Sequence, residues 1–143
     1  MPRKRPGALR ASPPSGPRAH IRGLSARTCH AVHQVEVRSR EPSLFRGATV
    51  LALRAYARFP SPRGRPLYPR PAPCPSPCCA FDDVRHARDV LNHVLHRLPP
   101  RPRAELGRLL EAWDARYLRS TLPDPFASPE APWWHRRLAD GVP

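Results

Sequence analysis

A chain of 143 residues with 25 basic and 11 acidic side chains carries a formal net charge of +14. Its length allows one ordinary domain, or a smaller one with a tail, and leaves no room for a two-domain catalytic cleft. Charge of this size normally points to an anionic partner, but Ala, Gly, Pro and Arg fill half the chain beside a single lysine, Lys4. All four have G/C-rich codons, so base composition is a rival cause of the arginine count.

The averages divide near residue 80. Residues 1–80 hold 15 of the basic side chains against Glu36 and Glu41 alone, a net of +13, whereas residues 81–143 have a net of +1. Leu, Ile, Val and Phe make up 16% of the first part and 24% of the second, either side of the roughly 20% below which highly charged chains tend to stay disordered. All three tryptophans lie in the second part. This places the basic charge and the expected core in different places.

Residues 1–42 therefore read as a disordered basic tail. Within it Val35 and Val37 alternate with polar neighbours from His33 to Arg38, a pattern compatible with a short strand that has no evident pairing partner. Residues 43–59 predict an isolated helix, with Leu44, Ala48, Leu51, Ala55 and Phe59 at helical spacing, Ser43 as N-cap and Pro60 as the stop. Eight prolines in residues 60–77 predict an extended linker without ladder hydrogen bonds. It runs to residue 80 and contains the cysteine cluster.

The strongest helical pattern runs from Asp82 to Leu98, where Val84, Ala87, Leu91, Val94, Leu95 and Leu98 share an arc of about 100°. Pro99 and Pro100 end it. From Pro102, a good first helical residue, Leu106, Leu109, Leu110, Trp113 and Tyr117 define a second amphipathic helix ending near Ser120. A third is expected from the Ser128 cap and Pro129 through Trp133, Trp134 and Leu138. The fold class is thus all-α: a small antiparallel helical hairpin plus a short third helix over residues 81–139, behind a largely disordered Pro/Arg-rich region. So small a core is marginal on its own. Dimerisation or docking on a protein partner through Leu91, Val94, Leu98, Leu106, Leu110, Trp113 and Tyr117 would supply the missing burial. Adjacent helical residues point about 100° apart, so of Trp133 and Trp134 one packs inward and the other can anchor a partner.

Three patterns bear on chemistry. Cys74, Cys78 and Cys79 precede a helix carrying His86, a ligand set suited to tetrahedral zinc. The spacing departs from the usual Cys-x2-Cys, and Pro75 and Pro77 remove N–H groups that would support bound sulfurs. Cys29, His30 and His33 complete such a site only if the tail folds back over the roughly forty residues that separate them from the cluster. Asp82, His86, Asp89, His93 and His96 form a stripe opposite the apolar face, where weak i,i+4 pairs on a solvated surface explain them as well as a metal does. A Cys79, His86 and Asp89 nucleophile set lacks a cleft or oxyanion hole in so small a hairpin, and no Gly-rich phosphate loop, HExxH or GxSxG occurs. Finally Arg3, Lys4, Arg5, Arg63, Arg65 and Arg70 can track phosphates in a salt-sensitive, sequence-independent way, though few aromatics interleave with them.

The reading is a non-enzymatic interaction or regulatory protein. It forms a homodimer or binds a protein partner, and its tail gives nonspecific nucleic-acid contact. No cofactor, membrane or small-molecule substrate is expected, and a small zinc-binding module is the alternative. No apolar run approaches the roughly 18 to 20 residues needed to span a bilayer, and no apolar stretch follows the basic start as in a secretory signal, so a cytoplasmic or nucleoid-associated location is expected.

Overall fold

Four helices account for most of the regular structure: α1 (Ala26–Arg38), α2 (Ala48–Arg58), α3 (Val84–Arg97) and α4 (Pro100–Ser120), with short 3-10 turns at Cys79–Asp82 and Trp133–His135. The structure, a computed structural model, describes residues 20–59, 65–77 and 79–140. Among these there is no strand, only an isolated antiparallel bridge between Pro123 and Arg137. The chain is all-α.

The largest difference from the sequence reading lies in the first part. Residues 1–19 of the expected tail lie outside the described residues, but residues 26–38 form α1 rather than a tail or a strand. Ser25 caps it, its hydroxyl accepting from the Thr28 N–H, and the Ser39 N–H closes its end on the Val35 carbonyl. Its inward face is Thr28, Cys29, Val32 and Glu36, a helical period hidden because two of the four are polar. Glu36 is buried and bonded at both oxygens: Oε2 accepts from the Gly47 N–H and Oε1 from the Thr49 N–H, each at 2.9 Å. A carboxylate there satisfies two of the free N–H groups at the start of α2 and meets the positive end of its dipole. Gly47, at φ +86°, occupies the cap position, so α2 begins five residues after the expected Ser43 cap. Nor is α2 isolated. Ala48, Ala52, Leu53 and Tyr56 are buried, and α2 is the closest neighbour of α3.

Helix α3 follows its predicted pattern. Asp83 caps it by accepting from the Arg85 N–H at 2.9 Å, and Val84, Ala87, Val90, Leu91 and Val94 are buried. Helix α4 starts at Pro100, two residues before the expected Pro102, because prolines in a first turn forfeit only N–H groups that have no helical acceptor. Arg103 reaches back to the carbonyls of His96 and Leu98, both at 3.0 Å, and tightens the two-residue connection from α3. Although α3 and α4 are consecutive, α3 packs more extensively on α2, and α1 covers α4.

The predicted third helix is a correction. Only Trp133–His135 forms a single 3-10 turn. Pro129 and Pro132 interrupt the helical ladder, and neighbouring backbone groups pair elsewhere: the Asp124 N–H donates to the Arg136 carbonyl and the Leu138 N–H to the Leu122 carbonyl. The described part of the Pro-rich segment is likewise held to the fold. The Leu67 N–H donates to the Ser120 carbonyl at 2.7 Å, the Asp140 N–H to the Pro69 carbonyl at 2.8 Å, and Pro69 is fully buried. One apolar core runs through these elements from Ile21 to Trp134.

Candidate interaction surface

Arg88 and Asp89, adjacent on α3, fix the C-terminal segment. Arg88 is buried and makes a two-pronged ion pair with Asp114 of α4, Nε to Oδ1 at 2.9 Å and Nη2 to Oδ2 at 3.0 Å. The Tyr56 hydroxyl donates to the same Asp114 at 2.5 Å, tying α2 to the pair. Burial, reinforced by this hydrogen bond, pushes the Tyr56 phenol far above its ordinary range, and burial does the same to Tyr117. The Arg88 guanidinium lies 4.4 Å from the centre of the Trp134 ring, close enough for a cation–π contact. Asp89 accepts from the Trp134 indole N–H at 2.7 Å and lies 2.9 Å from His135 Nε2, while the Tyr117 hydroxyl donates to the Trp134 carbonyl at 2.9 Å.

This anchoring buries Trp134 and leaves Trp133 half-buried, its ring perpendicular to that of Trp134. Trp133 then walls an open groove of about 530 Å³ with Leu118, Pro123, Ala127, Pro129 and Arg136. Beside it, Leu118 and Leu122 are exposed, and Phe126 is 94% exposed. The turn bearing Phe126 is built: Asp124 Oδ1 accepts from the Phe126 N–H at 2.9 Å, and the Asp124 carbonyl accepts from the Ala127 N–H. Arg137 braces its base, donating from Nε to the Thr121 hydroxyl at 2.8 Å and from Nη2 to the carbonyls of Leu118 and Thr121.

The residues singled out from sequence fall into three groups. Leu91, Val94, Leu98, Leu106, Leu110 and Tyr117 are buried in the chain's own core, so their periodicity is spent on internal packing rather than on an open face. Trp113 is half-buried, with the Arg116 guanidinium 4.9 Å from its ring. Cys74 and Cys79 are half-buried and the His86 ring rests against Phe81, while Cys78 lies outside the described residues. Among those residues, no three His, Cys, Asp or Glu side chains gather to hold a metal. Of the acid and histidine stripe, Asp89 is engaged by Trp134 and His135, and His93 and His96 are exposed. Cys29 is buried, taking the Ile21 N–H on its sulfur. Arg3, Lys4, Arg5 and Arg63 lie outside the described residues. Arg65 is exposed, and Arg70 pairs with Asp140 at 3.0 Å in solvent. Phe126, Leu118 and Leu122 were not singled out by sequence reasoning. Their signal was an aromatic set between prolines just past a helix end.

The chain matches no family model, no curated protein and no solved structure. Among the described residues no helix is long and apolar enough to cross a membrane.

Proposed function

We propose that this chain is a non-enzymatic interaction protein of the cytoplasm or nucleoid, holding a protein partner or a second copy of itself on the surface around Phe126, with its basic segments adding nonspecific nucleic-acid contact. The observation that carries this reading is the exposure of Phe126 on an ordered turn. An aromatic ring held almost wholly in water by a hydrogen-bonded turn gains nothing from the chain's own packing, and aromatic residues, phenylalanine included, are enriched at protein interfaces. The surface proposed first from periodicity, through Leu91, Val94 and Leu110, is replaced here by Phe126, Leu118, Leu122 and Trp133. Of the cysteines in the zinc alternative only Cys74 and Cys79 are among the described residues, where no three metal-ligating side chains gather.

Replacing Phe126 by a photo-crosslinking phenylalanine analogue in cells tests the reading. A defined adduct at position 126 is expected, either twice the chain mass for self-association or the chain plus one other protein. Only uncrosslinked chain, with efficient activation verified on a control, would overturn it.

A further inference from the structure

The basic side chains are not confined to the N-terminal run. Nineteen of the 25, and all 11 acids, lie among the described residues, a net of +8. Several of them collect where the C-terminal ends of α1 and α3 meet the start of α4. Arg38, Arg40, Arg97, Arg101 and Arg103 belong to this end. The acids of the same stretches are Glu36, Glu41 and Glu105; Glu36 is turned inward onto Gly47 and Thr49, and Glu105 is engaged by Ser25 and Thr28 at the start of α1.

Arg38 and Arg97 line one cavity of about 450 Å³, with His30 and Ser39 beside them and Val35 and Pro99 on its apolar wall. No acid lines it. The helix-end carbonyls of α3 do not account for both guanidinium groups. Arg103 already takes the His96 and Leu98 carbonyls, and Arg97 touches only His93 on its own helix. The Arg38 guanidinium makes no hydrogen bond or ion pair to any described residue. Uncompensated guanidinium groups around an open concavity raise a positive potential that draws anions. The cavity is within the roughly 300–1,000 Å³ range of small-ligand sites, and its apolar wall offers a surface for an unpaired base between phosphates.

We propose that this cavity binds single-stranded nucleic acid, with Arg38 and Arg97 on successive backbone phosphates and one unstacked nucleoside against Val35 and Pro99. A duplex keeps its bases stacked and paired and cannot place one there. Arg40 and Arg101, exposed and close in sequence to the lining residues Ser39 and Pro99, add more cationic groups at this end than a free phosphate requires. This inference rests on the nonspecific nucleic-acid contact proposed above and adds to it a single-strand site at the folded end of the molecule.

The test uses the full chain and a fluorescent oligothymidine, read by anisotropy from 50 to 200 mM salt, with unlabelled oligothymidine, duplex and inorganic phosphate as competitors. The wild type is expected to bind, to be displaced by single strand far better than by duplex or phosphate, and to weaken with salt. Arg38→Gln/Arg97→Gln should keep its helical circular dichroism, since both side chains are exposed, and should lower the slope of log K against log salt by about 1.4, about 0.7 for each lost single-strand phosphate contact. Wild-type binding with an unchanged slope in the double variant, or duplex competing as well as single strand, would overturn the cavity while leaving nonspecific contact intact. Displacement by inorganic phosphate at low concentration would overturn the strand in favour of a small anion. No binding by the wild type would overturn both the cavity and the nonspecific nucleic-acid contact.

Discussion

Glu36 and Asp89 show how single carboxylates organise this chain. Glu36 closes the start of α2 from another helix, so Glu36→Ala removes two charge-assisted hydrogen bonds and should cost about 2 kcal/mol in denaturant unfolding. Glu41→Ala, at an exposed position, should stay within about 0.5 kcal/mol. Equal losses in the two variants would contradict the capping role. The tyrosines give a pH dependence with a definite sign. Tyr56 and Tyr117 are held neutral well above the ordinary phenol value of 10.0, so the folded state resists deprotonation that the unfolded chain accepts. Stability is therefore fully present below pH 10 and falls as pH rises beyond it. Ultraviolet titration should show two of the three tyrosines ionising only as the helical signal is lost. At the acid end, hydrogen bonds from Thr28 and Ser25 hold the Glu105 carboxyl below its ordinary 4.5. Its contribution is present above that pH and is lost as pH falls through the lowered value, so Glu105→Gln should flatten the acid side of a stability profile.

At the scale of elements, the C-terminal segment is held less by its own helical propensity than by side chains of α3 and α4. Asp89→Ala leaves the Trp134 indole N–H without its acceptor, a loss of about 1–3 kcal/mol. It should quicken tryptic cleavage after Arg136 and Arg137 and shift tryptophan emission to longer wavelength. Cleavage at the wild-type rate would place the restraint elsewhere. Legibility from sequence also varies by element. Helix α3 and the apolar face of α4 were readable because their buried positions are Val, Leu and Tyr at helical spacing. Helix α1 was not, since Thr28 and Glu36 sit on its inward face and Val35 and Val37 imitate a strand alternation. The third helix was over-read from a capping serine and two tryptophans, when Pro129, Pro132 and the hydrogen bonds to Leu122 and Asp124 decide that segment's path. The Phe126 turn escaped because exposure and an asparagine-like side-chain turn leave no periodicity.

Across the whole molecule, the division at residue 80 marks a change in composition but not a boundary of the core. Nine of the twenty buried apolar residues, from Ile21 to Tyr56, precede it. The count of Leu, Ile, Val and Phe understates this half because four of the nine, Cys29, Ala48, Ala52 and Tyr56, are other residue types. Burying a large apolar side chain contributes about 1.5–3 kcal/mol, so the loss of Ile21, Leu24, Val32, Leu44, Leu53 and Tyr56 is comparable with the whole of the roughly 5–15 kcal/mol by which a domain is stable. The charge also belongs in large part to the fold, with +8 among the described residues. The central claim is that α1 and α2 complete the core of α3 and α4. Circular dichroism melts of residues 20–140 and residues 81–140, compared side by side, test it most directly. The account predicts a cooperative helical transition for the longer fragment and weak, non-cooperative helicity for the shorter one. A shorter fragment that keeps its helices and melts at the same temperature would contradict it.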